Sequence, residues 1–185
     1  PLARAEWMRF YGRLFGCADS ADRLFREVER AYETLCQKVR THNTPRPTVF
    51  CDLPLSGTWY EPGGQSTMGQ YLTDAGADYL WSDRAESGSL PLDFEAVYAR
   101  AARADFWLVK YGSAATLTYD SMLRDDSRFR RFRAWQKRRI WSCNSLKVPF
   151  YEETPFFPHL LLGELIRIFH PGLLSEAPNR YYLPL

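Results

Sequence analysis

The amino-acid sequence predicts an α/β lobe with a mostly parallel central sheet of about four strands and helices on both faces. Three observations lead there. Four short runs rich in β-branched and aromatic residues read as strands: TVFCDLP (Thr48 to Pro54), ADYLW (Ala77 to Trp81), ADFWLVKY (Ala104 to Tyr111) and RRIWSCN (Arg138 to Asn144). Segments of helical apolar spacing separate them. Strands so far apart cannot pair as hairpins, which leaves parallel pairing through helical crossovers and a Rossmann-like three-layer lobe.

The first segment carries Trp7, Met8, Phe10, Tyr11, Leu14 and Phe15 at helical spacing and stops at Gly16. A second helix has Asp19 and Ser20 as cap candidates and an apolar stripe from Leu24 and Phe25 to Val39; it ends before THNTPRP, Thr41 to Pro47. After the first strand, GTWYEPGGQS (Gly57 to Ser66) reads as a loop, followed by a helix from about Ser66 to Ala75 that Gly76 closes. Asp93 caps a helix bearing Phe94, Val97, Tyr98 and Ala101. Thr116 to Lys137 is mostly helical in pattern, and Pro158 to Phe169 forms the last helix, with Leu161, Leu162, Leu165 and Ile168 inside. No repeat, low-complexity tract or long linker divides the chain.

Bulk composition narrows the function classes only a little. A chain of 185 residues with 45% hydrophobic content is expected to bury roughly 70% of its unfolded surface. Lysine and arginine outnumber aspartate and glutamate by 24 to 22, too small an excess to point to nucleic acid or an anionic membrane. No apolar run approaches the ~20 residues of a membrane span. Cys17, Cys36, Cys51 and Cys143 form no CxxC pair; they read as buried thiols or as any of the disulfide pairings open to four cysteines.

Ligands of open parallel sheets bind beyond the carboxyl ends of the strands, so the loops there hold the candidate site. Trp59 and Tyr60 follow the first strand, Lys110 and Tyr111 end the third, and Asn144, Lys147, Tyr151 and Glu152 follow the fourth. Rings interleaved with hydrogen-bond donors have the composition of a pocket, although rings can also pack on the lobe itself. Enzyme motifs are missing: there is no GxSxG, no GxxxxGK[ST] and no GxGxxG after the first strand. His42, His159 and His170 lack metal-ligand spacing, and Glu152 and Glu153 are neighbours, a poor acid/base pair. Pro62-Gly63-Gly64 is a turn that could cradle an anion but reads better as punctuation, and Tyr181 and Tyr182 suit packing better than ferric iron. The basic run RFRRFRAWQKRRIW reads as a helix anchored by Phe129, Phe132 and Trp135 with solvated arginines, in preference to a nucleic-acid surface.

Several of these stretches together resemble one family. RPTVFCDLPLSGTWYEPGGQSTMGQYLTDAGADYLW, SGSLPLDFEAVYARAARADFWLVKY, IWSCNSLKVPFYEE and LLLGELIRIFHPGLL are similar to the C-terminal half of helical-backbone substrate-binding proteins of ABC transporters. The nearest branch resembles the Bacteroidetes-type relatives of the vitamin B12 and ferric-siderophore binding proteins. The resemblance implies two Rossmann-like lobes facing each other across a cleft and joined by a long helix. Residues 1–45 then correspond to the end of the connector and the helices after it, and 46–185 to the second lobe, with a first lobe and a lipoprotein signal expected upstream and a periplasmic location. It also implies a metal-chelate ligand, no cofactor and no chemistry on the ligand. Trp59 and Tyr60 would stack on the chelate while Lys110, Lys147 and Asn144 pair with its carboxylates or amides. Partners would be an ABC permease with its ATPase, with no nucleic acid and with membrane contact only through the lipid anchor. Relatives carry a permease-docking glutamate where this chain has Gln65; Glu61, four residues earlier, is the substitute candidate. The rival from another class is a soluble α/β enzyme working through the same loops.

Overall fold

The computed structural model describes residues 1–42 and 45–185 of the chain. Helices α1 (Leu2–Ala5), α2 (Trp7–Leu14) and α3 (Ala18–Thr41) open it. The predicted linker Thr41 to Pro47 includes Asn43 and Thr44, which lie outside the described residues. There follow β1 (Thr48–Cys51), β2 (Trp59–Pro62), α4 (Thr67–Asp74), β3 (Asp78–Tyr79), β4 (Ser89–Leu92), α5 (Phe94–Ala101) and β5 (Phe106–Tyr111). The remainder is α6 (Tyr119–Asp125), a 3-10 turn (Ser127–Arg131), α7 (Arg133–Gln136), β6 (Ile140–Asn144), α8 (Phe150–Glu153), α9 (Pro158–Phe169) and β7 (Leu183–Pro184). No helix among the described residues is long and apolar enough to cross a membrane.

The central sheet has the order β3-β1-β5-β6-β7, parallel except for the antiparallel edge strand β7. All four expected strands are in it. The fifth was not expected, because β7 owes its place to a carboxylate: Glu164, fully buried on α9, accepts the backbone N–H groups of Arg180, Tyr181 and Tyr182. That anchor buries Tyr181 and Tyr182 and lays Leu183 beside Ser142.

Both faces of the sheet are covered. Phe50 and Trp107 are register partners and so project to one face, where Trp59, Phe94, Phe129 and Phe132 close over them. Ring centroids there lie 4.8 Å apart for Phe50 and Trp107 and 5.1 Å for Phe50 and Phe132. The neighbouring pair Val49 and Phe106 faces the other way, and Phe106 meets Phe169 of α9. Alternation along each strand thus splits one apolar run between two helical layers.

Two expectations are corrected. GTWYEPGGQS is not a loop: residues 59–62 form β2, paired antiparallel with β4 in a separate two-stranded ribbon. The segment from Thr116 to Lys137 is broken, because Asp126 leaves helical geometry (φ −153°) and its side chain caps the Arg128 N–H at 2.8 Å. The Pro62-Gly63-Gly64 turn is shaped by close approach, since a Cβ on Gly63 would stand 2.1 Å from the Glu86 carbonyl oxygen. Two N–H groups there are already used, Gly63 donating to Gly88 and Gln65 to Glu86.

Trp59 has no exposed surface and its indole N–H donates to the Cys51 carbonyl at 2.7 Å. Trp59→Ala therefore opens a cavity in the aromatic layer and orphans a buried carbonyl; a loss of ~3–5 kcal/mol in urea-denaturation stability is expected. A variant as stable as the parent would show that the layer does not support the fold.

Candidate functional site

The site begins where β1 leaves the sheet. Strand β3 is two residues long and ends at Tyr79, so it has no backbone left to pair with Cys51, whose polar groups point toward it. Side chains of β2 take its place. Both Glu61 carboxyl oxygens lie 3.1 Å from the Cys51 N–H, and Trp59 supplies the donor to the Cys51 carbonyl. On the other side, Asp52 turns into the left-handed region (φ 59°), which removes its carbonyl from the ladder. Its carboxylate accepts the Lys110 N–H at 3.1 Å in that carbonyl's stead, and the freed carbonyl accepts the Trp107 indole N–H at 2.8 Å.

This locks Lys110 at the carboxyl edge of the sheet. Its ammonium lies 5.3 Å from the Phe150 ring centroid and 5.5 Å from that of Tyr151. Burial opposes the charge, but Asp52 and Tyr151 outweigh it and raise the Lys110 pKa above the ordinary lysine value, so the cation persists. Asp52 itself is pushed upward by burial, with Lys110 working against that shift. Lys110 and Tyr151 line a cavity of about 200 Å³ that Arg4, Thr67, Met68 and Phe150 also border. The arrangement presents two cationic side chains beside two aromatic rings: it can hold an anionic, flat or ring-bearing group.

Only these two of the eight expected ligand residues meet there. Trp59 is corrected outright, being core rather than cleft wall. Its neighbour Tyr60 points to the opposite side of the ribbon and is 45% exposed. Asn144 is buried and braces loops: it donates to the Ser113 carbonyl at 2.7 Å and accepts the Leu146 N–H at 3.1 Å. The Tyr111 hydroxyl accepts the Leu117 N–H, and Lys147 is exposed with its ammonium 3.3 Å from the Thr116 hydroxyl. Glu152 is exposed on α8, beside Tyr151 and outside the cavity lining.

Glu61 is corrected too, since an exposed docking carboxylate cannot be a fully buried one. Gln65 is exposed. The residues that sequence reasoning missed are Arg4, which arrives from α1 and not from a strand end, and Thr67 and Met68 at the start of α4. A larger cavity of about 560 Å³ opens at the amino edge, bordered by His42, Arg46, Asp74 and His170. Several of its polar groups are committed to structure: Arg46 and His170 cap the carbonyls of Thr73, Ala75 and Ala77 at the end of α4, and Tyr32 and Gln70 hold Asp74.

A family model described as "Periplasmic binding protein" matches residues 2–145. An uncharacterized lipoprotein of Methanocaldococcus jannaschii is 28% identical over 99% of this chain and 42% of its own length. A periplasmic heme binding protein from Pseudomonas aeruginosa superposes with TM-score 0.73 at 15% identity, over 98% of this chain and 64% of that one. The ABC-type Fe3+-hydroxamate transport system structure from Saccharomonospora viridis gives TM-score 0.70 at 17% identity, over 90% and 55%. The chain thus spans between two fifths and two thirds of the length of these relatives.

Glu61 generates a pH prediction. The Tyr79 hydroxyl donates to the Pro62 carbonyl and to Glu61 Oε2, the latter at 3.1 Å. Burial pushes the Glu61 pKa well above the carboxylate range, against the Cys51 N–H and the Tyr79 hydroxyl, whose hydrogen bonds favour the charged form. As pH rises past about 4.3, the unfolded chain releases this proton while the folded chain keeps it, so wild-type stability falls relative to a variant without the group. Glu61→Gln is therefore expected to gain stability over the parent steadily from pH 4 toward pH 8. Urea midpoints across that range check it, and a pH-independent difference would mean that Glu61 is ionised in the fold.

Proposed function

Because this chain belongs to the periplasmic binding protein family, we propose that it forms one wall of the ligand cleft in a two-lobed substrate-binding protein of an ABC importer. The bound ligand is an anionic metal chelate of the ferric-siderophore, haem or cobalamin-like class, handed unchanged to a permease driven by its ATPase. One observation carries the reading: a persistent cation at Lys110, set between Phe150 and Tyr151 and backed by Arg4, at the carboxyl edge of a parallel sheet. A periplasmic heme binding protein and an Fe3+-hydroxamate transport protein share the fold, which supports the chelate class.

The second wall comes from a further lobe. Support lies in the apolar side of α2, where Trp7, Phe10, Tyr11, Leu14 and Phe15 are 43–75% exposed, an area that calls for cover in a longer protein. The lipoprotein named among the relatives supports a lipid-tethered, extracytoplasmic form. Gln65, exposed beside the ribbon, is the remaining candidate for permease docking.

Buried Trp59 cannot report on the cleft, so calorimetric titration against ferric siderophores, haem and corrinoids is the test. Weak saturable binding to one chelate class is expected of a half-site, and Lys110→Met should weaken it by about tenfold or more by removing a charge-assisted contact. Unaltered affinity in Lys110→Met would discard the site, and no saturation with any chelate would discard the chelate class.

A further inference from the structure

The cationic run from Arg128 to Arg139 is left unexplained by the cleft. Seven of its twelve residues are lysine or arginine and none is acidic, in a chain whose 24 basic and 22 acidic residues nearly balance as a whole. Setting these seven aside leaves the rest of the chain net negative, so the molecule is electrically polarised.

Two of the seven are neutralised locally: Arg128 pairs with Asp126 and Glu95, and Arg133 pairs with Asp105 at 3.0 Å. The other five, Arg130, Arg131, Lys137, Arg138 and Arg139, are exposed and have no carboxylate within 4.0 Å among the described residues. Their aromatic neighbours are turned inward. Phe129, Phe132 and Trp135 are at most 9% exposed, and the Arg131 and Arg138 guanidinium carbons lie 4.3 and 4.0 Å from the Tyr98 and Tyr119 ring centroids. Packing on these rings holds the side chains in place while leaving their charge toward solvent.

The placement is directional. Lys137, Arg138 and Arg139 form the turn that feeds β6, and Arg103 lies in the turn that feeds β5. Both turns are at the amino edge of the sheet, opposite the edge that carries Lys110 and the cavity.

We propose that this face docks on the anionic phospholipid head groups of a membrane surface. A concentration of unpaired cations suits a dense array of phosphates, where each basic residue near the surface adds about five-fold to the partition constant. Single-stranded nucleic acid fits less well, because its binding sites add exposed rings on which bases stack, and here every ring of the run is buried. Docking through the amino edge leaves the cavity facing away from the lipid, open to ligand. The proposal draws on the lipid-tethered form only for the nearness of a bilayer, and its test contains neither chelate nor permease, so either reading can fail without the other.

The test is co-sedimentation of the 185-residue chain with phosphatidylcholine vesicles that contain or lack phosphatidylglycerol. Binding only to the anionic vesicles is expected, weakening steeply between ~0.05 and ~0.5 M salt as the screening length shortens. The double variant Arg130→Glu with Lys137→Glu should lose at least about 25-fold, because two favourable charges become unfavourable. Arg23→Glu with Arg26→Glu on α3 makes the same change in net charge away from the patch and should retain most of the binding; circular dichroism verifies that both variants are folded. Equal losses in the two double variants would reduce the effect to net charge and overturn the proposal. So would absence of binding to anionic vesicles, or tighter binding to an oligonucleotide than to them.

Discussion

The structure depends on how the backbone polar groups at Cys51 and Asp52 are satisfied where β1 leaves the sheet. Cys51 is buried there and Asp52 half-buried, and a buried N–H or carbonyl without a partner costs about as much as a hydrogen bond. A longer β3 would have supplied the partners on one side, and a regular strand end would have supplied them on the other. Side chains do it instead: Trp59 and Glu61 from the ribbon, Trp107 from β5, and the Asp52 carboxylate, which takes the Lys110 backbone N–H. The ribbon is consequently stitched to the sheet by polar contacts as well as by the aromatic layer beneath it.

The same solution positions the cleft. The Asp52 carboxylate that takes the Lys110 N–H also favours the Lys110 ammonium electrostatically, so one acidic side chain sets both the backbone and the charge of the site. Phe150 and Tyr151 then flank the cation. Preorganisation of this kind lowers the ordering cost of binding, which matters most where only one wall of a site is present.

The placement of charge follows a similar economy. Arginines of the 128–139 run lie across rings of the outer layer, so their stems help cover apolar surface while their charged ends stay outside. At the opposite end of the chain, the buried Glu164 gathers three backbone N–H groups and adds a strand that no β-propensity announces. In both places a charged residue has a structural task first.

Periodicity and strand propensity alone determined the α/β class, the four parallel strands and the helices α3, α4, α5 and α9, because each element must bury a patterned apolar face wherever it finds its partner. The rule that ligands meet the carboxyl ends of parallel strands also led to Lys110 and Tyr151. Only the tertiary structure decided the rest. Trp59 and Glu61 look like loop residues in sequence, yet they are core, because the shortness of β3 creates a vacancy that they fill from eight and ten residues away. Arg4 reaches the cavity from a helix remote in sequence, and β7 exists through Glu164. Each of these is a contact between distant residues that satisfies a specific buried group or completes a site, and local pattern carries no record of which distant group lies opposite.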